Sequence, residues 1–92
     1  MRIAAAIEAK LTEAFRPQRL KVTDESHKHK GHAGARAEGE SHFHVEIVSD
    51  AFAGKSRVER QRLIHAVLAD ELATDVHALA TKILTPDEDV FR

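Results

Sequence analysis

The chain has 92 residues, 42% of them hydrophobic, with 14 Lys and Arg against 15 Asp and Glu and a formal net charge of -1. That length suits one domain near the low end of what folds without staples, and the charge balance excludes a chain-wide positive field for nucleic acid. Cysteine is absent, which excludes disulfides, thiolate nucleophiles, C-x-x-C redox pairs and all-cysteine metal sites.

Residues 2 to 15 carry Ile3, Ile7, Leu11 and Phe15 at four-residue intervals, one apolar stripe of an amphipathic helix that Ala6 and Ala14 widen. Pro17 ends that helix, because its ring clashes with a further turn. The segment MRIAAAIEAKLTEAF is too charged for a signal peptide. No apolar run approaches the ~20 residues of a membrane span, so the expected location is cytoplasmic, away from any membrane. Residues 19 to 25 alternate, with Leu20 and Val22 on one face of a short strand. Residues 26 to 40 hold three glycines and three histidines without periodicity and read as a long, exposed, mobile loop of the functional kind.

Residues 41 to 49, SHFHVEIVS, alternate cleanly. Phe43, Val45 and Ile47 face one way, and His42, His44 and Glu46 face the other, on an exposed side of a half-buried strand. A turn over 50 to 56 ends in Ser56, a suitable helix N-cap. The spacing of Ile64, Leu68 and Leu72, with Val67, predicts a helix over 57 to 73 that Thr74-Asp75 breaks. Residues 76 to 84 read as a third strand ended by Thr85-Pro86, and an acidic tail over 87 to 92 reads as frayed. The whole is a single α+β domain over residues 1 to 92 in the order α-β-β-α-β. The first two strands form an antiparallel pair. The second helix is then a crossover that sets the third strand parallel to the second, with both helices on one face of a three-stranded mixed sheet.

Seven histidines are the compositional anomaly. His27, His29 and His32 form H-x-H-x-x-H in the loop, where imidazoles can gather around one metal or simply be solvated. His42 and His44 share a strand face and carry the same two readings. His44-Val45-Glu46 is similar to the H-x-E of zinc deaminases, but the P-C-x-x-C that completes such a site is missing. His65 reads as a helix surface residue. His77 falls where the third strand begins, on the parity of Leu79 and Ile83. Lys55, Arg57, Arg60 and Arg62 crowd the start of the second helix, where positive charge opposes the helix dipole by ~0.3–1 kcal/mol each. That arrangement fits an acidic or phosphate-bearing partner, or a solvated face with Glu59 as counter-charge. No nucleophile–base–orienter set and no phosphate loop is present, so the chain is not expected to be an enzyme.

The stretches VTDES at 22–26, ESHFHVEIVSDAFAGKS at 40–56, RQRLIHAVLADEL at 60–72, VHALA at 76–80 and TP at 85–86 occur in the order found in the BolA family, and the chain resembles that family over nearly its whole length. Two departures stand out. Arg60-Gln61-Arg62 replaces the family's usual Arg-His-Arg, and the loop before ESHF is longer and richer in histidine.

The resemblance implies a fold like the class II KH domain, in agreement with the order above. It also implies a partner, a monothiol glutaredoxin with a CGFS motif, and a [2Fe-2S] cluster shared with that glutaredoxin and glutathione. On this basis His77 aligns with the family's VHALA ligand, and a loop histidine supplies the second, with His32 in GHAG the nearest match and His29 the next. Replacing thiolates by histidines makes a cluster less negative and raises its potential, as in Rieske centres. A ligand imidazole must be deprotonated, so binding is expected to weaken below roughly pH 6. Family members are also linked to DNA and transcriptional control. The competing reading is therefore a DNA-binding regulator that uses Lys55, Arg57, Arg60 and Arg62, although only Gly54 of a KH-type GxxG loop is present.

Overall fold

The computed structural model describes residues 2–26 and 41–89. Helix α1 (Arg2–Phe15) leads into strand β1 (Arg19–Asp24), followed by β2 (His42–Val48), helix α2 (Arg57–Val67), a short helix α3 (Ala69–Ala73) and β3 (Ala78–Leu84). The sheet order is β1-β2-β3. β1 runs antiparallel to β2, with Leu20 opposite Ile47 and Val22 opposite Val45. β2 and β3 are parallel, with His42 beside Ala78 and Ile47 beside Ile83. The expected α+β architecture and strand directions are therefore present. His27, His29 and His32 lie outside the described residues, as do 90–92.

The alternation of β2 sends Phe43, Val45 and Ile47 to the helix-covered face, where Ile3, Ile7 and Leu11 of α1 and Ile64 and Leu68 meet them in one buried cluster. Burial of each such side chain contributes about 1.5–3 kcal/mol. α1 ends at Phe15; Arg16 turns into the left-handed region at φ 44, and Pro17 prevents continuation. Ser49 then ties this end to the sheet. Its hydroxyl donates to the Phe15 carbonyl at 2.7 Å and accepts from the Ala51 amide at 3.1 Å. The resulting 3-10 turn, Asp50–Phe52, drives Phe52 into the core, with its ring 4.9 Å from that of Phe15.

Three expectations change in detail. The helix expected over 57–73 bends at Leu68 (φ -100, ψ 20), although Leu68 still donates to Ile64 and Leu72 to Leu68 across the bend. Leu68 is a core residue, and the bend keeps the flanking hydrogen bonds while it faces inward. The third strand begins at Ala78, not at 76. The acids just after β3 are ordered: Pro86–Glu88 forms a 3-10 turn, closed by a reciprocal Thr85–Glu88 cap, and Asp89 is buried. Asp89 receives Arg19 through Nη2 at 2.8 Å and Nε at 3.3 Å, while Nη1 of the same guanidinium holds Glu46. Arg19 thereby holds the Glu46 carboxyl below its ordinary range.

Because Phe52 is fully buried and packs on Phe15, Phe52→Ala should lower unfolding free energy by about 3–5 kcal/mol in urea titrations. Val58→Ala, at a side chain 53% exposed, should change it by less than about 0.5 kcal/mol.

Candidate functional site

The ends of β1 and β2 nearest the undescribed stretch form a compact polar knot. The Ser26 amide donates to Asp24 Oδ1 at 2.9 Å, which turns the chain after β1. Ser26 Oγ accepts the Ser41 amide at 2.8 Å and the His42 amide at 3.1 Å. Ser41 Oγ lies 3.3 Å from Ser26 Oγ and 2.8 Å from His42 Nδ1. The Ser41 carbonyl accepts the His77 amide at 2.8 Å and the Ala78 amide at 3.3 Å. All three of Ser26, Ser41 and His42 are buried. Buried polar groups are costly unless paired, and these pair with one another.

His77 sits one residue ahead of β3 and is exposed. The preceding Val76 is buried and turns inward, so His77 leaves the strand parity expected of it beside Leu79 and Ile83. Its ring stacks beside that of His42, with centroids 6.3 Å apart and planes at 22°. His42 is a correction to the sequence reading: it is 8% exposed, not a residue of an open sheet face. Periodicity places it on the side away from the helices, but the serine knot and the His77 ring adjoin it there. A recurrent Glu-Ser-His, at 25–27 and again at 40–42, is the signal that brackets this knot. His44 is half-buried, and His65 is exposed near the end of α2.

The donor set suits a metal centre completed from outside. With no cysteine in the chain, its imidazoles are the borderline ligands it can offer to a metal, and His77 is accessible. Among the described residues, no three or more His, Cys, Asp or Glu side chains are arranged to hold a metal ion. Any centre at His77 therefore takes further ligands from beyond these residues.

The basic residues separate into two kinds. Ser56 caps α2 in a reciprocal box with Glu59, in which Glu59 accepts the Ser56 amide at 2.7 Å and donates its own amide to Ser56 Oγ at 3.1 Å. This box holds the Glu59 carboxyl below its ordinary value. Arg60 is occupied internally. Nε donates to the Lys55 carbonyl at 3.0 Å, Nη1 to the Ile83 carbonyl at 3.1 Å, and the fork grips Glu88 at 2.6 and 3.1 Å. Lys55, Arg57 and Arg62 are exposed. Lys55 and Arg57, with Lys82 of β3, line an open cleft of about 860 Å³ between α2 and β3 that also holds Val58. Arg60 lines the same cleft, but its guanidinium is committed to the fold.

The family model for BolA-like proteins matches residues 11–88. A Sinorhizobium sp. protein from the cobS 5′ region is 52% identical over 96% of each chain. The DNA-binding transcriptional regulator BolA of Escherichia coli K12 is 48% identical, over 96% of this chain and 80% of its own length. Among solved structures, the BolA domain of SufE1 from Arabidopsis thaliana is 46% identical with a TM-score of 0.84, covering 92% of this chain and 93% of that one.

Arg60 and the Thr85 amide pull the Glu88 carboxyl down from 4.5 to about 2. A depressed acid stabilises the fold above its unfolded value and loses that contribution as pH falls through its folded value. Glu88→Gln should therefore be less stable than the parent at neutral pH. The gap in urea midpoint should narrow as pH drops from 4.5 towards 2, and added salt should reduce it, since Glu88 is exposed.

Proposed function

This chain belongs to the BolA family, and we propose that it is a cytoplasmic partner protein, not an enzyme, that binds a monothiol CGFS glutaredoxin and contributes imidazole to a [2Fe-2S] cluster shared with that glutaredoxin and glutathione. The observation that carries this reading is His77. Its backbone is fixed to the Ser41 carbonyl, its ring is exposed, and a second imidazole stands beside it. A rigid backbone with an accessible ring is what a ligand donated to another protein's cofactor requires. The cluster would bring electron-transfer and iron–sulfur chemistry. This chain's part is to replace thiolate by neutral imidazole, which raises the potential.

Family resemblance assigns the second ligand to His32 or His29 of the loop. Its two flanking residues, Ser26 and Ser41, are bonded to each other at the foot of the His77 site, so a loop ligand would start and finish beside it. No helix among the described residues is long and apolar enough to cross a membrane.

Reconstitution of the cluster on a CGFS glutaredoxin with glutathione, with and without this chain, tests the reading. The chain should alter the visible absorption and circular dichroism, and His77→Ala should restore the spectrum of the glutaredoxin alone while leaving the chain's thermal melt within a few degrees. An unchanged spectrum and elution volume on mixing would reject the proposal.

The cleft between α2 and β3 favours a second reading, a DNA-binding regulator. Lys55, Arg57 and Lys82 converge there with no acid among them except Glu88, which Arg60 neutralises. A relative carries that function in its name. Duplex affinity would then fall with salt, and Arg57→Ala should reduce the slope of log K against log salt by about 0.9 for one lost phosphate contact. Binding that is indifferent to salt and to Arg57 would remove this reading.

A further inference from the structure

We propose that Glu88 is an internal competitor for the basic cleft between α2 and β3: its carboxylate occupies the Arg60 fork in the free chain, and a backbone phosphate of duplex DNA displaces it. The inference rests on the second reading above, in which that cleft receives DNA, and it concerns how the cleft is regulated.

Lys55, Arg57, Lys82 and Arg60 line the cleft, and Glu88 stands among them. Arg60 presents two parallel N–H donors to Glu88, Nη1 to Oε1 at 2.6 Å and Nη2 to Oε2 at 3.1 Å. The same fork fits the two non-bridging oxygens of a phosphodiester, so carboxylate and phosphate are alternative occupants of one donor pair. The Thr85 amide donates to Glu88 Oε1 at 2.9 Å and adds a third donor to the same oxyanion position. Glu88 thus fills a place whose donors suit a phosphate.

Three features allow exchange without unfolding. First, the guanidinium does not depend on Glu88 for its position. Nε donates to the Lys55 carbonyl at 3.0 Å and Nη1 to the Ile83 carbonyl at 3.1 Å, so two main-chain carbonyls keep the fork in place for the next ligand. Second, the acid is the exposed member of the pair. The Glu88 side chain is 45% exposed and that of Arg60 12%, so Glu88 can swing into water. The turn that carries it need not move, because the adjoining Asp89 is held separately by Arg19. Third, a guanidinium this covered requires a counter-charge, so Glu88 leaves only as another anion arrives. Its carboxyl, held down to about 2, stays ionised through the neutral and mildly acidic range. The exchange therefore responds to phosphate and not to protons.

The test measures binding of the full chain to a fluorescein-labelled DNA duplex by anisotropy across a salt series. Glu88→Gln is compared with Asp87→Asn, an equal change of charge at the neighbouring exposed acid. Glutamine keeps an oxygen for the Thr85 amide but gives up the ion pair. Glu88→Gln should bind about eightfold tighter than the parent at about 0.1 M salt and steepen the slope of log K against log salt by about 0.9, as one added phosphate contact requires. Asp87→Asn should tighten binding by less than about twofold, because a solvated charge outside the fork is screened. Arg60→Lys keeps the charge but loses the fork, and in that background Glu88→Gln should gain less than about twofold. Binding by Glu88→Gln where the parent shows none would also support the competition. A gain no larger than that of Asp87→Asn, or one that persists in the Arg60→Lys background, would overturn it and leave the cleft reading to the salt and Arg57 dependence of the parent. Absence of binding in both the parent and Glu88→Gln would overturn both. The slope comparison substitutes only exposed acids, so it decides even if Arg60→Lys fails to fold.

Discussion

The hydroxyl of Ser26 accepts main-chain amides from Ser41 and His42, residues 15 and 16 positions further along the chain. Much of the candidate site depends on that acceptor. It joins the two ends of the loop, it starts β2 in register with β1, and through Ser41 it fixes where β3 can begin. Neutral hydrogen bonds contribute about 0.5–1.5 kcal/mol each, but their absence here would leave buried amides unpaired and cost more. The knot is thus a structural necessity of the sheet and, by the same bonds, the frame around two imidazoles.

Charge is organised by the same economy of parts. Arg19 and Arg60 each bridge elements far apart in sequence, Arg19 reaching Asp89 and Glu46, and Arg60 reaching Glu88 and the Ile83 carbonyl. Planar, forked guanidinium groups suit such bidentate ties better than lysine would. With these two committed to holding the residues after β3, Lys55, Arg57 and Arg62 remain exposed around the start of α2, with Lys82 opposite. Their cost against the helix dipole is offset locally by the Ser56–Glu59 box, which places one carboxylate at the first turn.

Local pattern made the architecture legible. The four-residue stripe of α1, the strict alternation of β2 and the brake at Pro17 are decided by neighbours in sequence, and the parallel pairing of β3 follows from the crossover rule. Ser56 was recognisable as a cap, and its reciprocal partner Glu59 stood three residues on. What periodicity could not reveal were contacts over long separations. Nothing local distinguishes Arg60 from Arg57, yet Glu88, 28 residues away, takes one and not the other. Nothing in the alternation of SHFHVEIVS distinguishes His42 from His44. His42 is buried because Ser26 and His77, 16 and 35 residues distant, come to the end of its strand. The loop histidines His29 and His32 were conspicuous by composition, whereas the structure draws attention to a histidine hidden by its regular strand position.

The same placement of Arg60 bears on how this chain keeps company with its own kind. β3 is an outer strand of the sheet, and an outer strand offers unpaired carbonyls and amides to any extended segment in solution. Arg60 already occupies the carbonyl of Ile83 and is clamped there by Glu88. A second chain attempting to extend the sheet would have to displace an ion pair and bring its backbone past Lys82. At a net charge of -1, long-range repulsion gives little protection against self-association. Arg60 thus closes off one of the acceptors through which this edge could be extended.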